Sequence, residues 1–347
     1  MCAKKKKMLY DTDKWLMPYK DAIDKRHKMI LEAKEKLSVD GSLSKGMNNH
    51  IYYGLHRDAQ GNWVFREWAP NATKIYLIGD FNNWKRSEAY ALRPIGGGNW
   101  EITLPAMFLD HGTLYKLFIE WPGGGAERLP AYVTRTVQDV QTKQFCAQVW
   151  DPIKPYEWRN PKPGKRPHPL IYECHIGMAT EEERVGTFEE FRLNVLPKVA
   201  DLGYDTIQIM ALQEHPYYGS FGYQVSNFFA LSSRFGTPEE FKALVDDAHG
   251  LGIAVVMDIV HSHSVDNEAE GLGLFDGKET LYFYDGWQGH LPAWGKMLRL
   301  RKGRDQALPP VQLQVLDGGI QHGRIPLRRR HKHALLGPRP GKGLRRI

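Results

Sequence analysis

The sequence predicts a multidomain chain. N-terminal helices come first, then an antiparallel β-sandwich, then the opening part of an incomplete (β/α)8 barrel, and last a C-terminal tail that is disordered or poorly packed. Three observations predict it. Residues 11–37 carry apolar side chains at helical intervals. Residues 51–150 break into short aromatic and β-branched segments separated by glycine- and asparagine-rich turns. From residue 169 onward, apolar strands alternate with amphipathic helices.

In DTDKWLMPYKDAIDKRHKMILEAKEKL, Pro18 divides the helical pattern, predicting a short helix and then a longer one that docks on the next domain. The segments IYYGLHRD, WVFREWAP, KIYLIGDF, WEITLPA, TLYKLFIEW and KQFCAQVW are read as sandwich strands, with DAQGN, DFNNW, GGGN and PGGG as their turns. DPIKPYEWRNPKPGKRPH, residues 151–168, is a proline-rich linker. PLIYECHIG, TIQIMAL and IAVVMDIVH are three apolar strands, the composition of a parallel sheet covered on both faces. Between them lie two helices. One is capped by Thr187 with Glu190 three residues on, the other by Thr237 with Pro238 at its first position. Polar clusters follow the strand C-termini, where such a barrel keeps its chemistry. The domain assignment is therefore 1–50 helical, 51–150 sandwich, 151–168 linker, 169–294 barrel strands one to three, and 295–347 tail.

Charge is distributed unevenly. The formal net charge is +7, yet 14 of the 47 Lys and Arg fall in residues 295–347 against 2 of the 40 Asp and Glu. Residues 1–294 thus hold 33 basic and 38 acidic side chains, a mildly acidic body, so the charge of the whole chain is no argument for a nucleic-acid partner, and none is expected. Cys2, Cys146 and Cys174 have no paired spacing, which fits a reducing, cytoplasmic setting and no metal cluster. The N-terminal basic run has no apolar segment after it, and no stretch of 18 apolar residues occurs, so neither a secretory signal nor a membrane span is expected.

YECHIGM (172–178), QEHPYYGSFGYQVSNFFALSSRFGTPEEFK (213–242) and VMDIVHSHS (256–264) resemble the 1,4-α-glucan branching enzymes of glycogen synthesis, of the eukaryotic-like type. WVFREWAPNATKIYLIGDFNNWKR (63–86) and PAYVTR (130–135) are similar to the carbohydrate-binding sandwich that precedes their barrel. The resemblance spans roughly residues 8–294. It implies a glycosyltransferase that cleaves an α-1,4 bond in a glucan and passes the freed chain to a 6-hydroxyl, with no metal or organic cofactor. It also implies that Tyr223, Asp258 and His263 form the subsite holding the glucose beside the scissile bond, with the tyrosine ring as a platform. A carboxylate accepts sugar hydroxyls and an imidazole donates to one. Gln213, Glu214 and His215 are read as loop scaffolding, and His261 and Ser262 as lining or structural. Of the sandwich tryptophans Trp68, Trp84 and Trp100, Trp84 and Trp100 are the candidates for stacking on glucan, Trp84 first because NNW reads as an exposed turn.

Retaining chemistry of this class needs a nucleophilic carboxylate and an acid/base carboxyl about 5 to 5.5 Å apart. In the family these follow the fourth and later strands, and no counterpart is expected here. After Trp294 the chain reads GKMLRL and then a stretch rich in Arg, Gly and Pro. Codons for HGRIPLRRRHKH can be chosen that read MDGFRFDGVTS from the second base, and PPVQLQVLDGGIQ can likewise be made to read LSNCKFWMEEF. Both resemble the family's continuation. The reading is a frameshift near Trp294, a tail that does not pack, and a chain without transferase activity. The alternative is a non-catalytic glucan-binding protein acting through its sandwich.

Overall fold

The computed structural model describes residues 7–299 apart from Met47 and Ala293. Residues 1–48 and residues 49 onward are separate compact units. The first is built on helix α1 (Lys20–Leu37), preceded by a 3-10 segment, Lys14–Tyr19, that contains Pro18. None of the residues of α1 is buried.

The second unit begins with nine strands: β1 (Gly54–Arg57), β2 (Trp63–Trp68), β3 (Lys74–Gly79), β4 (Arg93–Gly96), β5 (Asn99–Leu104), β6 (Leu114–Trp121), β7 (Gly124–Arg128), β8 (Thr136–Gln138) and β9 (Phe145–Gln148). They form two antiparallel sheets, β1-β2-β5-β4 and β3-β6-β9-β8 with β7 added to β6. Phe65, Ile75, Leu77, Ile78, Leu117 and Ile119 are almost fully buried. This is the core that alternating apolar positions on two facing sheets produce.

Three parallel strands follow, β10 (Ile171–Cys174), β11 (Thr206–Ile209) and β14 (Ala254–Met257), in that order across the sheet. Between β11 and β14 lie a short antiparallel pair, β12 (Gln213–Glu214) and β13 (Asn227–Leu231). The crossover after β10 is the helical run α2, made of Phe188–Glu190, a π-helical turn Phe191–Val195, and Leu196–Asp201. Thr187 caps it: the Glu190 amide donates to Thr187 Oγ1 at 3.2 Å and the Thr187 amide to Glu190 Oε2 at 2.9 Å. The sequence pattern predicts one regular helix here, and Pro197 is the reason it is not. Proline has no N–H to donate back and its ring crowds the preceding turn, so the helix widens just before it. The second crossover, α3 (Pro238–Gly250), is regular and carries its Thr237–Glu240 capping box. Phe188, Phe191, Phe235, Phe241, Ile207, Ile209, Val255 and Met257 make a core between the helices and one face of the sheet.

The proline-rich segment 151–168 forms no regular element but is pinned at its start, where the Arg57 guanidinium donates to Asp151 at 2.8 Å, and again at its middle. Asp246 of α3, fully buried, accepts bonds from the Tyr156 hydroxyl at 3.0 Å, the Arg159 guanidinium at 2.9 Å and the Asn160 amide at 2.9 Å. The sandwich is also seamed to the barrel strands. Thr136 Oγ1 donates to Glu214 at 3.0 Å, the Arg135 guanidinium to the Gly236 carbonyl at 2.8 Å, and the Tyr132 and Phe229 rings stack 4.9 Å apart.

Past β14 come β15 (His263–Ser264), β16 (His290–Leu291) and β17 (Gly295–Met297), with β17 between the other two. The expectation that nothing from residue 295 onward packs is corrected here. Leu298 is 3% exposed and its amide donates to the Ser262 carbonyl at 3.1 Å. Backbone pairing is indifferent to side-chain pattern, so GKM can add to an edge whatever its origin. The rest of the tail, and the frameshift reading of it, lies outside the described residues. Among the described residues, no helix is long and apolar enough to cross a membrane.

Candidate functional site

Strand register builds the site. Glu173, Gln208 and Val256 lie in one row across β10, β11 and β14, and Cys174, Ile209 and Met257 in the next. Because strand side chains alternate, Cys174, Ile209 and Met257 join the helix-covered core while Glu173, Gln208 and Asp258 share the opposite face. Asp258 follows β14 directly, its amide donating to the Ile209 carbonyl at 2.9 Å. Its side chain is 6% exposed and receives two donors: the Tyr223 hydroxyl on Oδ2 at 2.8 Å and the Gln208 amide on Oδ1 at 2.9 Å. In both bonds the Asp258 oxygens are the acceptors. The Gln208 amide also lies 3.5 Å from Glu173 Oε1.

His263 is 2% exposed, with Nε2 2.9 Å from the Tyr223 carbonyl and Nδ1 3.0 Å from Ser262 Oγ. A carbonyl only accepts, so Nε2 carries the proton and Nδ1 accepts from the serine hydroxyl. Both ring nitrogens are therefore engaged within the protein. The imidazole ties β15 to the Tyr223 loop, and its ring lies 5.8 Å from that of Trp294.

The structure thus brings Tyr223, Asp258 and His263 together at the C-terminal end of the parallel sheet. Gln208, which sequence reasoning did not single out, completes the group. The available signal was one polar residue in the otherwise apolar centre of TIQIMAL. Gln213, Glu214 and His215 are each at most 1% exposed. Gln213 accepts from the Val260 amide at 3.0 Å, and Glu214 takes bonds from Thr136 and from the Ser233 amide and hydroxyl. His261 is partly exposed.

In the sandwich the tryptophans separate. Trp100 is 7% exposed and its indole N–H donates to the Ala69 carbonyl at 3.0 Å. It is a core residue with no face left for a sugar, which corrects its candidacy. Trp68 donates its indole N–H to the Gly97 carbonyl at 3.2 Å and meets Tyr282 edge-on at 6.1 Å. Trp84 is partly exposed, has φ 58° beside Asn83 at φ 54°, and carries the Lys116 ammonium 5.9 Å from its ring centre. Two consecutive non-glycine residues in the left-handed region form an outlier. Among the described residues, no group of three or more His, Cys, Asp and Glu could hold a metal ion.

Comparison with known proteins gives two family matches: Carbohydrate-binding module 48 (Isoamylase N-terminal domain) over residues 52–133, and Alpha amylase, catalytic domain, over residues 191–275. A 1,4-alpha-glucan-branching enzyme of Rhizophagus irregularis is 42% identical over 293 residues, covering 82% of this chain and 43% of that protein. Those of Dictyostelium discoideum and Felis catus are 40% and 36% identical, each over 84% of this chain and 44% and 42% of their own length. The chain therefore spans less than half the length of these relatives. Among solved structures, the catalytic module of a multi-modular glycogen-degrading pneumococcal virulence factor superposes with a TM-score of 0.64 at 20% identity, covering 78% of this chain and 45% of that one. A pullulanase from Paenibacillus barengoltzii gives 0.64 at 16% identity, over 78% and 47%. At such identities these two speak to the fold.

Proposed function

From the premise that this chain belongs to the 1,4-alpha-glucan-branching enzymes of the alpha-amylase superfamily, we propose that it binds α-glucan at the Asp258 site and does not itself transfer glucan chains. The whole enzyme's activity would be cleavage of an α-1,4 bond and transfer of the chain to a 6-hydroxyl, in the cytoplasm and without a metal or organic cofactor. The observation that carries the reading is the Tyr223–Asp258–Gln208 group. Asp258 is fixed by two donors, which orients its remaining lone pairs for sugar hydroxyls. Tyr223 is held from both ends, its hydroxyl donating to Asp258 and its backbone carbonyl accepting from His263. His263 then acts by positioning Tyr223.

Double displacement needs a nucleophilic carboxylate to form the glycosyl-enzyme and a second carboxyl to protonate the leaving oxygen. We read neither in this chain, because the family's R-x-D motif and its later acidic residues have no match here. Incubating the purified 347-residue chain with amylose and counting α-1,6 linkages by proton NMR tests this. The expected result is no linkage above the enzyme-free control, and new branches would refute the inactive reading.

A second reading, glucan binding through the sandwich alone, is favoured by Trp84. A half-exposed indole held in a strained turn beside an ammonium is suited to pack on a pyranose face. Affinity electrophoresis in glycogen-containing gels separates the two readings. Trp84→Ala should abolish retardation if the sandwich acts alone, and reduce it if both sites bind.

A further inference from the structure

Residues 1–48 form a helical unit whose apolar side chains have no core to enter. None of the described residues between 7 and 48 is buried. Leu9 and Ile30 are 66% and 63% exposed, and Trp15, Met17, Tyr19 and Met29 are exposed too. Local polar contacts hold the unit instead. Lys20 pairs with Asp24 and Lys28 with Glu32 one turn apart along α1, and the Tyr10 hydroxyl donates to Asp24 at 2.8 Å. Exposed pairs of this kind contribute little. Helices in proteins draw most of their stability from packing an amphipathic face, so this face is built for a surface that it does not meet within the unit.

A groove of about 450 Å³ runs between the short helix Leu9–Thr12 and α1. Met8, Leu9, Ile23 and Ile30 give it an apolar lining, and Lys7 and Arg26, both exposed, give it charge. Ile23, Arg26 and Ile30 recur at i, i+3 and i+7, so they share one face of α1 over two turns, about 10 Å. No carboxylate lines the groove. The nearby acids of the unit are already engaged: Asp11 accepts from the Met8 amide at 2.8 Å, Asp13 from the Trp15 amide at 3.0 Å, and Asp24 from Lys20 and Tyr10. Lys7 and Arg26 form no ion pair among the described residues. The groove thus offers apolar contact beside two uncompensated positive charges.

We propose that this groove docks an acidic amphipathic helix of a partner protein. Apolar side chains of that helix, spaced i, i+3 or i+4 and i+7, lie on Met8, Leu9, Ile23 and Ile30, and its carboxylates reach Lys7 and Arg26. Charge selects this occupant. Residues 1–48 hold 12 Lys and Arg against 7 Asp and Glu, and residues 295–347 hold 14 against 2. Like charge therefore turns away both the chain's own tail and the same unit of a second copy. Between the two helices the 3-10 segment exposes Trp15 and Met17 as well, so the apolar surface of the unit exceeds what a small ligand covers.

The test is fluorescence anisotropy of the full chain with two labelled helical probe peptides. One is made of leucine and glutamate with its leucines on a single face, and the other has glutamine in place of glutamate. The glutamate probe should bind the parent at least about tenfold more tightly than the glutamine probe. Arg26→Glu and Ile30→Ser should each weaken it about tenfold, while Arg26→Lys, which keeps the charge, should stay within about threefold of the parent. Arg26 and Ile30 are exposed, so circular dichroism should show parental helix content in every variant, and binding lost only together with helix content counts against the proposal. Equal binding of the two probes, binding that neither substitution alters, or no binding by the parent would overturn it. Sedimentation velocity of the parent alone covers a rival occupant: self-association that Ile30→Ser abolishes would give the groove to a second copy and sink the proposal. Dodecanoate binding that both substitutions abolish, with neither probe bound, would give it to a small anionic amphiphile with the same consequence.

Discussion

Glu67 has no exposed surface and accepts from the Trp68 and Ala131 amides at 2.9 Å each. Burial outweighs those two bonds and pushes its carboxyl up to about 7. The folded state therefore holds this proton where the unfolded chain, at the usual 4.5, releases it. The group's stabilisation is full below pH 4.5 and fades as pH rises to about 7, a span of at most about 3 kcal/mol. Urea unfolding at pH 4.5 and 7.5 should show the parent losing stability relative to Glu67→Gln across that window, and parallel changes would contradict the assignment. At this scale the sequence was legible only where chemistry and position coincide. Asp258, Tyr223 and His263 stand out because the motifs that carry them, VMDIVHSHS and GYQVSNFF, resemble those of a known family. Gln208 was missed because one polar residue inside a strand does not say which way it faces. Trp100 and Trp84 are the same residue type in similar turn-rich contexts, and burial, which depends on the opposing sheet, separates them.

Helix caps were readable at the level of elements, since a capping box is local chemistry. Thr237→Ala removes the acceptor that the Glu240 amide uses at 3.2 Å and should cost about 1 kcal/mol in urea unfolding. The π-helical turn at 191–195 was not readable in advance, because Pro197 also suits the first turn of a new helix. The linker was legible as irregular but not as anchored, for its anchor Asp246 lies roughly ninety residues away in sequence. Asp246→Ala leaves the Arg159 and Asn160 amides without this acceptor. Since Arg159 itself is largely exposed, its ion pair adds little. The loss should be about 2 kcal/mol, with faster proteolysis within residues 151–168. Unchanged cleavage would show the clamp to be incidental.

From residue 49 onward the fold is more continuous than a string of modules. Arg135 and Thr136 bond across from the sandwich to Gly236 and Glu214, contacts invisible to a reading that treats each domain separately. Among the described residues, β10 and β14 each pair only with β11, and Ile171 on β10 is 46% exposed. An open apolar edge invites association. Ile171→Lys should reduce the concentration-dependent light scattering of the chain, and equal scattering would mean the edge is covered. Fold class was legible here because periodicity changes along the chain, whereas the packing of residues 295–299 was not, since edge pairing needs no side-chain pattern. Whether Asp258 and its neighbours hold α-glucan is decided by isothermal titration of maltoheptaose into the parent and Asp258→Ala. The parent should bind saturably and the variant should lose at least about tenfold in affinity. Equal affinities, or no binding by the folded parent, would contradict it.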